Sequence, residues 1–195
     1  MAEYCVAISG ASGVAYGLRV LRALAAAGET VHVVVSEGGA RVLRHECDLA
    51  ISSKAPQAEL LAPEHADRIV THAVMDYGCS IASGSYPLAG MTVCPCSMGT
   101  LGRLAAGTAE NLITRAADVC MKERRKLVLV PRDTPLHSIH LENMLRLDRA
   151  GAVILPASPG FYWRPERAEE LVDFIAGRVL AQLGVDNDLM KKWAP

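Results

Sequence analysis

The chain has 195 residues, 51% of them apolar and 21% charged, so it can bury a substantial core and is not disordered. Lysine and arginine total 20 against 21 acids, a formal net charge of −1, which argues against bulk attraction to nucleic acid or an anionic membrane but not against a local basic cluster. No apolar run approaches the roughly 18 residues of a membrane span, and MAEYCVAISG lacks a basic n-region, so it reads as a first strand and not as a signal peptide.

In chain order, residues 4–9 read as a strand and 14–27 as a helix closed by Gly28. TVHVVV (30–35) is a second strand, followed by a helix over 39–49. A weaker strand lies near 68–74 and a better one at 91–94, where Pro95 is expected to stop it. Helices follow over 109–124, 139–150 and 166–183, interleaved with the strands KLVLVP (126–131) and 152–155. Strands alternating with helices imply right-handed βαβ crossovers. The fold class is therefore α/β, a doubly wound, mostly parallel sheet with helices on both faces, flavodoxin- or Rossmann-like. No repeat or linker divides the chain, so 1–184 reads as one domain with a short polar tail at 185–195. Such a tail stays ordered mainly by docking.

In an open parallel sheet ligands bind beyond the carboxyl ends of the strands, so the βα turns are where chemistry is expected. The first turn, ISGASGVAYG, has Gly10, Gly13 and Gly17 for tight turning and close packing, and Ser12 for a hydroxyl. Its spacing is not the GxGxxG of a nicotinamide site, although Ser36 and Glu37 end strand two. A structural turn and an amide cradle for a phosphate or polar ring both fit. The second, CPCSMGT (94–100), offers Ser97, Gly99 and Thr100 with unobstructed amides. Cys94 and Cys96 lack the spacing of a zinc site and read as buried structural thiols, and no metal is expected. Six scattered cysteines in a chain that needs no staples indicate reduced thiols and a cytoplasmic setting.

The third segment, KERRKLVLVPRDTP, reads partly as a helix end whose Lys122, Arg124 and Arg125 favour the dipole, with Asp118 and Lys122 spaced as an i,i+4 pair. Arg132 differs, because it follows a buried strand at the ligand edge. Arg178 falls three, four and seven residues after Ile175, Phe174 and Leu171, on the expected apolar face of the last helix. There it must snorkel, meet a carboxylate or face an anion, for which Tyr162 in GFYWRP is a possible companion. Glu46, late in the second helix, opposes that helix's dipole. An exposed residue and a general acid or base are both open readings.

Taken together, GASGVAYG (10–17), VVSEGG (34–39), ASGS (82–85), CPCSMGTLG (94–102), NLITRAADVCMKERRKLVLVPRDTP (111–135), SIHLENMLRL (138–147), GAVILPASPGFYWRP (151–165) and LVDFIAGRVLAQLG (171–184) resemble the flavin prenyltransferases, or UbiX-like proteins. The resemblance spans nearly the whole chain in order. It implies a doubly wound FMN-binding homododecamer with active sites at subunit contacts. The implied reaction joins the dimethylallyl group of dimethylallyl monophosphate to N5 and C6 of reduced FMN, without a metal. The prenylated FMN would serve a UbiD-type decarboxylase.

By the same resemblance, Gly10, Ala11, Ser12, Ser36, Ser97, Met98, Gly99, Thr100 and Arg132 contact FMN. Lys122, Tyr162 and Arg178 hold the prenyl phosphate, and Ser12 and Glu46 move protons. Asp133 replaces the glutamate that many relatives carry, and Tyr77 stands where tryptophan is common. Competing readings are a phosphopantothenoylcysteine-type decarboxylase, for which His45 is an echo but the PASANT segment is missing, a flavin-storage subunit, and a nicotinamide dehydrogenase.

Overall fold

In a computed structural model that describes residues 1–190, six strands form one sheet in the order β3-β2-β1-β4-β5-β6, with every pairing parallel. The strands are β1 (Glu3–Ile8), β2 (Thr30–Val35), β3 (Ile69–His72), β4 (Gly90–Cys96), β5 (Lys126–Pro131) and β6 (Val153–Ile154). The inner strands are apolar at nearly every position, as a sheet covered on both faces requires. Helices α1 (Val14–Ala26), α2 (Glu37–Cys47) and α7 (Ala168–Leu183) cover one face, packing on Val6, Ile8, Val33 and Val128. Helices α4 (Met98–Ala106), α5 (Leu112–Lys122) and α6 (Ser138–Arg149) cover the other, over Ala7, Val34, Met91 and Leu129. A one-turn helix α3 (Ala58–Leu61) and 3-10 turns at Pro63–Arg68 and Ser80–Ala82 fill the irregular middle stretch.

One expectation fails at Pro95. The strand does not stop there but runs on to Cys96, which still pairs with Pro131. The ladder absorbs the proline through a register irregularity between Val93 and Cys96, and the Cys94–Pro95 peptide is cis. The hydroxyl and amide of Ser9 reach the Pro95 carbonyl at 2.8 and 3.2 Å. The residues after Ser97 open a nine-residue helix, α4, that the hydrophobic pattern does not include. Ser97 is its N-cap, and Gly107 in the left-handed region ends it.

Helix bounds move for similar reasons. Asn111 and Thr114 form a reciprocal capping box, so α5 starts at Leu112 and not at 109. Ser36 caps α2 two residues earlier than the hydrophobic pattern implies. The described part of the tail folds back on α7, where Asn187 Nδ2 donates to the Gly177 carbonyl at 3.3 Å. The rest of that segment, 191–195 with Trp193, lies outside the described residues.

Candidate active site

The strand order reverses between β1 and β4, and the carboxyl ends of β1, β2, β4 and β5 meet there. Chain leaves that point in opposite directions, which opens a crevice. Three helix N-termini, of α1, α2 and α4, are presented at this edge. Gly10 and Gly38 lie back to back, so a Cβ on Gly10 would stand 3.0 Å from the Gly38 Cα. Gly17 likewise lets α1 press on the Cys94 carbonyl, and Gly39 lets α2 press on that of Ile8. Gly13 takes a φ of 94°, the left-handed turn that opens α1.

The serines of this edge are already organised. Ser36 Oγ accepts from Gly39 N at 2.9 Å and Ser97 Oγ from Thr100 N at 3.3 Å, each capping its helix. Buried Ser9 ties the two loops together by accepting from Ser97 N at 2.8 Å. Arg132 closes the ring: its amide donates to the Cys96 carbonyl at 3.3 Å and its Nε to the Ser12 carbonyl at 3.1 Å. Gly10, Ala11, Ser12, Ser36, Ser97, Met98, Gly99, Thr100 and Arg132 are thus brought to one edge of the sheet. Aligned N-termini, bare glycine backbone and a guanidinium suit a phosphate ester, and a flat polar ring could lie over the glycines.

Glu46 has a role that neither sequence reading contains. Its carboxylate accepts from the amides of Gly13 at 2.9 Å and Val14 at 3.2 Å. The acid that opposes the dipole of α2 therefore serves the N-terminus of α1, next to Ser12.

The cationic groups divide. Arg178 is exposed, contrary to the apolar-face expectation. The buried stripe of α7 runs through Ile175, Ala176, Val179, Leu180 and Leu183, while Leu171, Phe174 and Arg178 form its margin. Tyr162 packs edge-on to Phe174, one turn before Arg178, with centroids 6.2 Å apart, and Trp163 stacks on Phe174 at 4.7 Å. Lys122 ends α5 on the opposite face and at the entry edge of the sheet, where it pairs with Glu123. The length of β5, about 20 Å for six residues, separates that edge from Arg132. Helices α5 and α7 lie on opposite faces of the sheet, so Lys122 and Arg178 are held apart within one chain. The expected Asp118–Lys122 pair does not form either, because Asp118 accepts from Arg115 Nη1 at 2.9 Å. Arg115's planar fork reaches it from the preceding turn.

Asp133 is exposed and accepts from the Thr134 amide at 2.9 Å, while the Tyr77 hydroxyl donates to the Ala109 carbonyl at 3.2 Å. Cys94 and Cys96 are free and fully buried. Burial pushes the Cys96 thiol up to about 12, so it is no nucleophile at neutral pH. A cavity of about 270 Å³ borders Arg132, Asp133, Leu136, Met144 and Ser158. A roomier one of about 510 Å³ lies between α1, the end of α2 and α7, beside the Arg19–Asp173 pair and away from the strand ends. The first shares Arg132 with the glycine-rich edge, and that link, not volume, makes it the better candidate.

Residues 2–180 match the Flavoprotein family profile. The flavin prenyltransferase UbiX of Methanothermobacter thermautotrophicus is 50% identical over 188 residues, covering 96% of this chain and 93% of that protein. The crystal structure of AnUbiX (PadA1) in complex with FMN and dimethylallyl pyrophosphate superposes with a TM-score of 0.88 at 38% identity, covering 100% and 98% of the two chains. A dodecameric FMN-dependent Ubix-like decarboxylase from Escherichia coli O157:H7 gives a TM-score of 0.87 at 37% identity, over 99% of this chain and 100% of the other. With both the profile and a half-identical relative extending over nearly its whole length, the chain belongs to the Flavoprotein family and, within it, to the UbiX-like flavin prenyltransferases.

Proposed function

We propose that this chain transfers the dimethylallyl group of dimethylallyl monophosphate to N5 and C6 of reduced FMN, making prenylated FMN for a UbiD-type decarboxylase in the cytoplasm. The observation that carries this reading is the convergence of three helix N-termini, a back-to-back glycine pair and Arg132 at the topological switch point. Support also comes from the solved relative that holds FMN together with a dimethylallyl ester. Reduced FMN supplies the electron-rich ring positions that accept the prenyl group.

Amides around Gly10, Ala11, Ser12, Ser36 and residues 97–100, with Arg132, hold the flavin. Lys122 and Arg178 neutralise charge growing on the departing phosphate, and Tyr162 donates a hydrogen bond to it. Each such donor contributes about 3–4 kcal/mol to lowering the barrier. Glu46 takes up the proton released on ring closure, relayed by the exposed Ser12 hydroxyl beside it. No metal is given a part in the transfer.

The separation of Lys122 from Arg178 requires a site shared between subunits. A homododecamer accords with this, and the related Escherichia coli protein is described as dodecameric. Exposed Phe161, Tyr162, Ile139 and Leu141 provide apolar surface for such contacts.

The test is anaerobic incubation with reduced FMN and either the mono- or the pyrophosphate donor, followed by mass spectrometry of the extracted flavin. The monophosphate is expected to add one prenyl group. Flavin of unchanged mass with both donors would overturn the reading. Co-assembling Lys122→Ala with Arg178→Ala subunits should restore activity absent from either alone, and mixtures as inactive as the parents would contradict a shared site.

A further inference from the structure

A polar seam crosses the sheet where the strand pattern TVHVVV admits one histidine. His32, 2% exposed, has Nδ1 2.8 Å from His72 Nε2 and Nε2 2.7 Å from Glu3 Oε2. Tyr86 donates its hydroxyl to the same carboxylate. The direction of this chain follows from its end. Ionised Glu3 only accepts, so His32 Nε2 carries a proton, and in the neutral form of that ring Nδ1 is bare toward His72. His72 therefore donates from Nε2 and keeps its own Nδ1 lone pair open. Burial holds His72 below the ordinary imidazole range.

Past His72, the chain turns back through a loop that brings a carboxylate oxygen of Asp76 and the sulfur of Cys79 alongside. These and a His72 ring nitrogen all lie within 4.8 Å of one another. Asp76 Oδ1 accepts from Gly78 N at 3.0 Å, which leaves Oδ2 available. The Cys79 thiol points at the Asp76 carbonyl, 3.2 Å away. Burial raises this thiol, and so does the charge of Asp76, against hydrogen bonds from the amides of Ala82 and Ile81 that pull it down.

We propose that His72 Nδ1, Asp76 and Cys79 form a site for a borderline-soft divalent cation of the zinc class. Nitrogen, oxygen and sulfur donors suit that class, and three protein ligands leave one position for water. Binding replaces the Cys79 S–H by a sulfur–metal bond and releases the proton to solvent. His32 and Glu3 form the outer support: a metal-bound histidine characteristically donates its second N–H to an acceptor that fixes tautomer and ring plane. The ion would clamp the 73–79 loop, which carries Tyr77, to the end of β3. The H-x3-D-x2-C spacing matches no common zinc signature, so the sequence alone does not flag it.

Chelator-stripped full-length protein is titrated with Co²⁺ and then Zn²⁺. One Co²⁺ per chain with a thiolate-to-cobalt charge-transfer band is expected, displaced by Zn²⁺, and Zn²⁺ raises the melting temperature. Cys79→Ser abolishes the band, and Asp76→Asn, at an exposed position that leaves folding intact, weakens binding. Glu3→Gln retains the band with affinity lower by about 10–100-fold. Absence of a cobalt band from the wild type, or the same band and affinity in Cys79→Ser, would overturn the site. The unfolding temperature of each variant in chelator establishes that it is folded.

Discussion

Replacing Glu46 separates two jobs that one carboxylate is positioned to do. In the structure it accepts from Gly13 N at 2.9 Å and Val14 N at 3.2 Å, two of the four N-terminal amides that α1 cannot satisfy internally. Glu46→Ala removes this cap. Cap deletions cost about 0.5–2 kcal/mol, and at this exposed position water replaces part of the bond, so about 1 kcal/mol is expected. For a chain of this size that lowers the melting temperature by about 2–4 °C. Glu46→Gln keeps an acceptor oxygen and loses only the charge facing the helix N-terminus, about 0.3–1 kcal/mol. Stability therefore falls in the order wild type, Gln, Ala. Activity should not follow that order. If Glu46 accepts the ring-closure proton, both variants lose turnover by about 10²–10⁴-fold, while FMN stays bound. Thermal unfolding and anaerobic single-turnover assays on the same preparations decide the matter. Full turnover in Glu46→Gln would reduce Glu46 to a cap and refute its catalytic assignment.

Arg132→Ala should weaken FMN binding by about 1.5–3 kcal/mol, the value of a hydrogen bond to a charged group, read by fluorescence titration; unchanged affinity would remove Arg132 from the flavin site. Gly17→Ala sets a methyl against the Cys94 carbonyl, backbone against backbone, and should cost about 1–3 kcal/mol or more. The matched control Gly102→Ala in α4, whose added Cβ meets nothing closer than Asn143 Nδ2 at 3.6 Å, should be neutral or stabilising by up to about 1 kcal/mol. Equal melting temperatures for the two would contradict the packing argument. Stability in chelator should also fall in acid in two stages. His72 sits below its ordinary 6.5 because of burial and His32, and Glu3 below 4.5 because His32 and Tyr86 hydrogen-bond it. Both make the folded chain bind fewer protons than the unfolded one, so their contribution is complete above 6.5 and is lost as pH falls, His72 first. A pH–stability profile of His72→Gln that keeps the first stage would disprove its origin.

Element type was readable wherever burial was two-sided: KLVLVP and TVHVVV appear at their expected bounds because continuous β-branched runs leave few alternatives. Pro95 misleads because its usual meaning in a strand assumes a regular ladder, and here an irregular register accommodates it. Helix α4 escapes notice since Ser-Met-Gly-Thr has weak propensity, and the cap at Ser97 plus packing of Leu101 and Leu104 hold it. The glycine-rich edge was legible from its turns. The cap made by Glu46 was not, because it joins residues 33 apart through side-chain geometry alone. Arg178 shows the limit of periodicity, which fixes a helix face to within a residue or so and cannot tell the stripe's centre from its margin.

The Gly10–Gly38 contact sets where redesign of this pocket can begin. Neither position has space for a methyl group, so the floor under any bound molecule is fixed in shape and offers nothing to vary. New selectivity has to be sought at the rim, where exposed Ser12 and Asp133 can change size or polarity without moving a strand.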